Sequence, residues 1–505
     1  MASYTLFAAI DVGSYDVSLT IYEIGKTGIK TIDRLRHVIA LGSDTYNTGS
    51  ISYMLIDELC DVLYDFTKVM KSYDVRKYRA CAGSALREAK NYLNILDRIR
   101  VKTGLDVEIL SNSEQRFVMY KAVACTKGFN DLLNEGFALV DVGDGSSQIS
   151  LFDSGSLVTT QNVQLGALRL YELLNNVSQT SADIVNVMEE YIDTDVDTLK
   201  HLFLKDRNVP TIVFVGDGAD WIAANIVGKA TTKSSISKIT REDFLELYHR
   251  IYIGGLDEEK ESIILPAAMI YKKIMDALEA RNLVIPMVSL CDGMAAEYAK
   301  QNELYDAFEH DFDKDILGTA RNISKRYSWN KEHLKQVESN ALNIFDLLRK
   351  IHGLGNRERL LLRIACLLHD CGQYISMVHP ADCSYNIIMS TEIIGLSHRE
   401  REMIANVVKY TVKPFNWDNA LDGMNEEDFL IISKLTAIIQ VANTLDRGHK
   451  QKFANIKFEI EGRKLNMIAR TFDDITLERN IIGDRETFFE QVYGLKPVIV
   501  LKHGR

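Results

Sequence analysis

The chain has 505 residues, 46% hydrophobic and 26% charged, a globular balance that leaves room for about three domains. It excludes an intrinsically disordered chain, a collagen-like fibre and a disulfide-held miniprotein. With 59 basic against 70 acidic residues the formal charge is −11, which argues against bulk nucleic acid or anionic lipid as a partner and leaves room for a local basic pocket.

No apolar run approaches the roughly 18 residues of a membrane span. Asp11 comes too early for a secretory leader, and the seven cysteines include no CxxC pair. The expectation is a reduced, cytoplasmic protein.

In chain order, the first element is half of a repeat. Phe7–Gly25 (FAAIDVGSYDVSLTIYEIG) aligns with Phe137–Gly155 (FALVDVGDGSSQISLFDSG), identical at Phe7/Phe137, Asp11/Asp141, Val12/Val142, Gly13/Gly143 and Gly25/Gly155. Each copy predicts an apolar strand, an Asp-Val-Gly turn and a second strand of period two. Two such halves facing each other enclose a cleft with both hairpin tips in it. Amides beside Gly13 and Gly143 can approach phosphate oxygens without a Cβ in the way. Asp11 and Asp141 suit a divalent cation such as Mg²⁺, which takes one or two carboxylates plus substrate oxygens.

Between the copies, VRKYRACAGSALREAKN predicts a strand ending near Ala82, a Gly83–Ser84 turn and a helix whose Arg87 can fork onto a phosphate. VEILSNSEQRFVMYKAV predicts a short strand, a turn and a helix opening with Glu114 and Gln115. Ser111 and Glu114 also fit a capping box, which competes with a catalytic role for Glu114. After the second copy, TIVFVGDGADWIAANI adds a buried strand, a Gly216-Asp217-Gly218 turn and a helix. From about residue 304 the pattern turns helical, with His333, then His369-Asp370, then a helix through Leu445-Asp446. A final segment alternates like a small sheet with one helix in it.

This ordered set resembles the exopolyphosphatase/guanosine pentaphosphate phosphohydrolase (Ppx/GppA) family. It runs from AAIDVGS through AGSALREAKN, VEILS-SEQ, LVDVGDGSS, QLGALRL (Gln164–Leu170) and VFVGDGA to LCDGMAAEY (Leu290–Tyr298). The resemblance implies an α/β fold: a duplicated actin/hexokinase-like (RNase H-like) two-lobed phosphatase module, then a mainly α-helical HD-like domain with a small α+β tail. The expected domains are 1–125 for the first lobe, 126–303 for the second and 304–505 for the helical domain.

By the same resemblance Asp11, Gly13, Ser14, Arg87, Gly143, Gly145, Ser146 and Ser147 cradle phosphate, and Asp141 sits beside Mg²⁺. The family's Ser-Gly-x-Glu-Glu-Ala stretch supplies its water-activating base as the second glutamate; here it reads Ser111 to Arg116, with Gln115 in that place. The loop that ends Ser-Thr-Glu in the family reads Ser146-Ser147-Gln148, and its middle glycine is Asp144. Tyr15 and Asp16 replace an Asn-Ser pair, and Asp220 replaces a threonine. An amide orients water but takes no proton near neutral pH, so Glu114, Asp144 and Asp16 are alternative bases. Basic residues available to a polyanion are Arg76, Lys77, Arg79, Arg116 and Lys121.

In the helical part, His333, His369-Asp370 and a downstream aspartate look like the ligand set of the HD phosphohydrolases, which implies a divalent transition metal. At the usual place of the last aspartate stands Asn443; Asp446, one helical turn on, is the candidate substitute. The alternative is a helix bundle with ordinary histidines, serving as scaffold or dimer surface.

The function implied is release of terminal phosphate from inorganic polyphosphate or guanosine pentaphosphate, with Glu114, Gln115, Asp141 and Gln148 at the chemistry. The alternative is a polyphosphate or alarmone sensor with weakened catalysis. A homodimer is left open.

Overall fold

The structure is a computed structural model and describes residues 4–153, 155–175, 181–204, 209–226, 237–253, 258–328, 330–415, 417, 424–453 and 455–502. The chain forms two compact units, residues 1–312 and 313–505.

The first unit holds two sheets of one topology. β1 (Tyr4–Val12), β2 (Asp16–Gly25), β3 (Gly28–Val38), β4 (Lys77–Ala82) and β5 (Val107–Ile109) are ordered β3-β2-β1-β4-β5. β6 (Phe137–Val142), β7 (Ser147–Asp153), β8 (Ser156–Val163), β9 (Thr211–Val215), β10 (Ser237–Thr240) and β11 (Asn282–Ile285) are ordered β8-β7-β6-β9-β11-β10. In each sheet the first three strands form an antiparallel meander, and the fourth lies parallel to the first. The central strands β1 and β6 are near-continuous apolar runs because both faces are covered.

The duplication extends to register. Asp11 pairs with Ser18 as Asp141 pairs with Gln148, and Phe7 with Tyr22 as Phe137 with Phe152. The irregularity after Ile21 in the β2–β3 ladder recurs after Leu151 in the β7–β8 ladder. A bulge re-aims the strand it interrupts, so its repetition gives both hairpins the same bend toward their tips.

Each sheet has its own apolar core. The helix Leu290–Gln301, which follows the second sheet, returns to the first. Tyr298 stacks on Phe7 of β1 with ring centroids 4.3 Å apart, and Tyr22 donates to Asp292 at 2.7 Å. Gly293 makes that crossing possible, since a Cβ there would collide with the Val118 carbonyl of the helix Asn112–Ala124. The fold is thus a two-lobed α/β module followed by a helical unit.

The second unit is built from helices, among them Lys331–His352, Asn356–Leu368, His398–Val412 and Glu426–Thr444. Its tail is a three-stranded sheet of β12 (Lys457–Glu461), β13 (Lys464–Ala469) and β14 (Lys496–Leu501), with the helix Thr476–Tyr493 between the last two strands. Among the described residues no helix is long and apolar enough to cross a membrane.

Candidate active site

Both hairpin tips close on the same backbone bond. The amide of Gly13 donates to the Asp16 carbonyl at 2.9 Å, and that of Gly143 to the Ser146 carbonyl at 3.1 Å. A Cβ on Gly13 would stand 2.8 Å from the Asp16 oxygen, which is why the turn takes glycine. The first tip is tied into its own lobe. Ser14 Oγ accepts from the Ala85 amide at 3.2 Å, at the start of the helix Ser84–Glu88. It also meets Ser84 Oγ at 3.0 Å and the Tyr46 hydroxyl at 2.8 Å. The second tip is backed by the helix Ala167–Asn175, whose Ala167 and Arg169 amides donate to the Gly143 and Asp144 carbonyls, each at 2.9 Å. Gly166 permits this approach, since a Cβ there would collide with the Asp144 carbonyl.

The tips meet across the two sheets. A Cβ at Gly145 would collide with Ser84 Oγ and the Tyr46 hydroxyl. The Tyr15 amide donates to Asp144 Oδ2 at 3.1 Å. Arg36, on β3, binds Asp16 and reaches Asp217 of the third loop at 2.6 Å. Arg169 donates to the Gly145 carbonyl and to Glu88, all at 2.6 Å, with its guanidinium 4.2 Å over the Tyr46 ring. Arg116, only 1% exposed, donates from the first sheet's side to Gln148 Oε1 at 3.2 Å and to Thr160.

The meeting line is acidic. The carboxyls of Asp11, Asp141 and Asp144 are each pushed up to about 7. Desolvation by the surrounding protein is the largest cause in all three. The charge of Asp217 adds to each, while Arg116 pulls Asp141 back and the Tyr15 amide and Arg36 pull Asp144 back.

The other expected site residues fall in several places. Gln115 faces the turn after β4, its Oε1 3.4 Å from where a Cβ on Gly83 would stand. Glu114 closes the capping box: its carboxylate accepts from the Ser111 amide at 3.0 Å and hydroxyl at 2.6 Å. Arg87 donates to the Leu110 carbonyl at 2.6 Å and to Asn112 Oδ1 at 2.5 Å, joining two turns of the first lobe. The buried Ser147 hydroxyl donates to the Leu165 carbonyl. Among the basic residues, Arg79 pairs with Glu108 and Glu297, Lys121 with Glu297, and Arg76 with Asp74. Arg116 is the one of these that reaches the second loop. Arg169 also reaches it, and Arg36 joins the first tip to the third loop; sequence reasoning missed both. Arg169 stood within the QLGALRL motif; Arg36 looked like the ordinary polar side of an edge strand.

In the second unit, His333, His369 and Asp370 are the group of donors among the described residues whose ligand atoms all lie within 4.8 Å of one another. The two Nε2 atoms are 3.2 Å apart, and Asp370 Oδ2 is 3.5 Å from His333 and 3.4 Å from His369. His369 Nδ1 faces the Cys366 carbonyl at 2.8 Å. Asp446 does not join this group. It pairs with the opposite ring nitrogen, His333 Nδ1, at 2.9 Å, and accepts from the Gln451 amide at 2.7 Å. Asn443 is buried beside His369, and its side chain favours the charged form of that ring.

Two registered hairpins whose glycine tips meet define the class: a duplicated two-lobed α/β module. The Ppx/GppA phosphatase family model matches residues 20–302, and the model of Ppx/GppA phosphatase domain III matches residues 317–484. The chain belongs to the Ppx/GppA phosphatase family. Among solved structures, an exopolyphosphatase from Cytophaga hutchinsonii is similar at TM-score 0.53 and 18% identity, over 59% of this chain and 99% of that one. An exopolyphosphatase-like protein is similar at TM-score 0.52 and 18% identity over the same shares. The Aquifex aeolicus member of the Ppx/GppA family aligns at 23% identity and TM-score 0.49, again over 59% and 99%.

Proposed function

We propose that the cleft releases the terminal phosphate of inorganic polyphosphate or of guanosine pentaphosphate, with Mg²⁺. The supporting observation is the meeting of the two glycine tips over Asp11 and Asp141. Carboxylates are hard oxygen donors, and a desolvated acidic cluster gains from a divalent cation, so the residues fit the ion. Asp11 and Asp141 would hold it, and when bound it would neutralise phosphate oxygens.

The chain's own groups supply the rest. Amides inside the Gly13–Asp16 and Gly143–Ser146 turns bind the terminal phosphate, and Arg36 and Arg169 add charge at the rim. Gln115 orients the attacking water. Phosphoryl transfer passes through a loose transition state that depends on positioning and charge stabilisation, so an amide suffices there. Gln148 is occupied in holding Arg116.

Phosphate release from both substrates with Mg²⁺, in the parent and in Asp141→Asn, tests this. Release by the parent no greater than by Asp141→Asn overturns it.

A second reading, favoured by the convergence of His333, His369 and Asp370, is a divalent transition metal in the helical unit. Asp446 would orient His333 from behind. Metal content after dialysis, compared between the parent and His369→Ala, checks it; equal content overturns it.

A further inference from the structure

The Tyr15 amide belongs to the turn assigned above to the terminal phosphate, and Asp144 already accepts its hydrogen bond at 3.1 Å from 129 residues away. We propose that Asp144 is a built-in competitor of the polyanion: its carboxylate holds an amide that a phosphoryl oxygen must take, so the cleft binds substrate by displacing it. This rests on the phosphate reading of the cleft.

The duplication makes the substitution visible. Asp144 occupies in the second hairpin the place that Ser14 occupies in the first. Both side-chain oxygens accept from an amide. Ser14 does so within its own lobe, on Ala85; Asp144 carries a charge and reaches across to Tyr15. Its backbone is pinned, because its carbonyl accepts from the Arg169 amide and Gly166 packs beneath it. Displacement is therefore a swing of the side chain rather than a movement of the loop. The departing carboxylate stands close to Arg36, which also bridges Asp16 and Asp217. A polyanion that releases Asp144 thus meets the cation that helps clasp the sheets together.

Calorimetric titration with inorganic polyphosphate and Mg²⁺ at about pH 8, where Asp144 is mostly ionised, tests this on the parent, Asp144→Asn and Asp144→Gly. Freeing one amide from a charged acceptor and removing one like charge should tighten binding by about tenfold in Asp144→Gly. Asp144→Asn, which can still cap the amide without the charge, should show a smaller gain. Unchanged or weaker binding by both variants beside a binding parent overturns the proposal and leaves the phosphate reading standing. Release abolished at unchanged affinity makes Asp144 a proton acceptor and equally overturns it. No binding by any of the three, each shown folded by its melting curve, overturns the phosphate reading and the proposal together.

Discussion

The two hairpins share register, irregularity and tip bond, yet their side chains act in opposite directions. In the first, Ser14 bonds to its own lobe and Ser18 meets the Cys291 sulfur at 3.8 Å. At the same places in the second, Asp144 and Gln148 bond to Tyr15 and Arg116 of the first lobe. The duplicated backbone supplies amides and turns in both copies. The differing side chains at two matched positions make one copy the anchor and the other the clasp.

Substitution of the matched aspartates tests this asymmetry most severely. Asp141→Asn should lower phosphate release by about 10²-fold or more, the scale of losing one charge-stabilising group at a reacting phosphate. Asp11→Asn should cost less, because Arg116 and the clasp lie on the Asp141 side. Equal losses would make the two copies chemically equivalent.

Next in size is Arg116→Ala. It empties a buried site and strands the Gln148 acceptor, so it should cost about 2–4 kcal/mol in urea unfolding. Ser18→Ala, across the pseudo-symmetry, should cost less than about 1 kcal/mol. A similar loss at both would remove the clasp from the second copy.

The smallest effect is with pH. The carboxyls of Asp11, Asp141 and Asp144 stand at about 7 in the fold, above the ordinary 3.8. Between those values the folded chain binds more protons than the unfolded one, so stability from these groups falls as pH rises through that window. Mg²⁺ favours the ionised carboxylates, so it should raise Tm more at about pH 8 than at about pH 5.5. A shift that is the same at both, by differential scanning fluorimetry, contradicts an acidic metal-binding cleft.

The repeat was legible because Phe7, Asp11, Gly13 and Gly25 recur at one spacing and strand alternation is local. The turns at Gly83, Ser111 and Gly216 were legible for the same reason. The bonds between the sheets were not. Arg36 and Asp217 are 181 residues apart, and the exposure pattern of β3 gave no sign of what its arginine faces. Asp446 shows a finer limit. Helical spacing places it one turn beyond Asn443, but a ligand and an orienting partner differ only in which ring nitrogen of His333 they meet. The return of Leu290–Gln301 to the first sheet was likewise hidden, because a small residue at 293 predicts a close crossing without naming the partner helix.

The most direct measurement is a crystal structure with Mg²⁺ and a short polyphosphate. The expected result is the terminal phosphate on the turn amides beside Gly13 and Gly143, with Asp144 swung off the Tyr15 amide. Polyphosphate bound elsewhere, with Asp144 still on Tyr15, would contradict it.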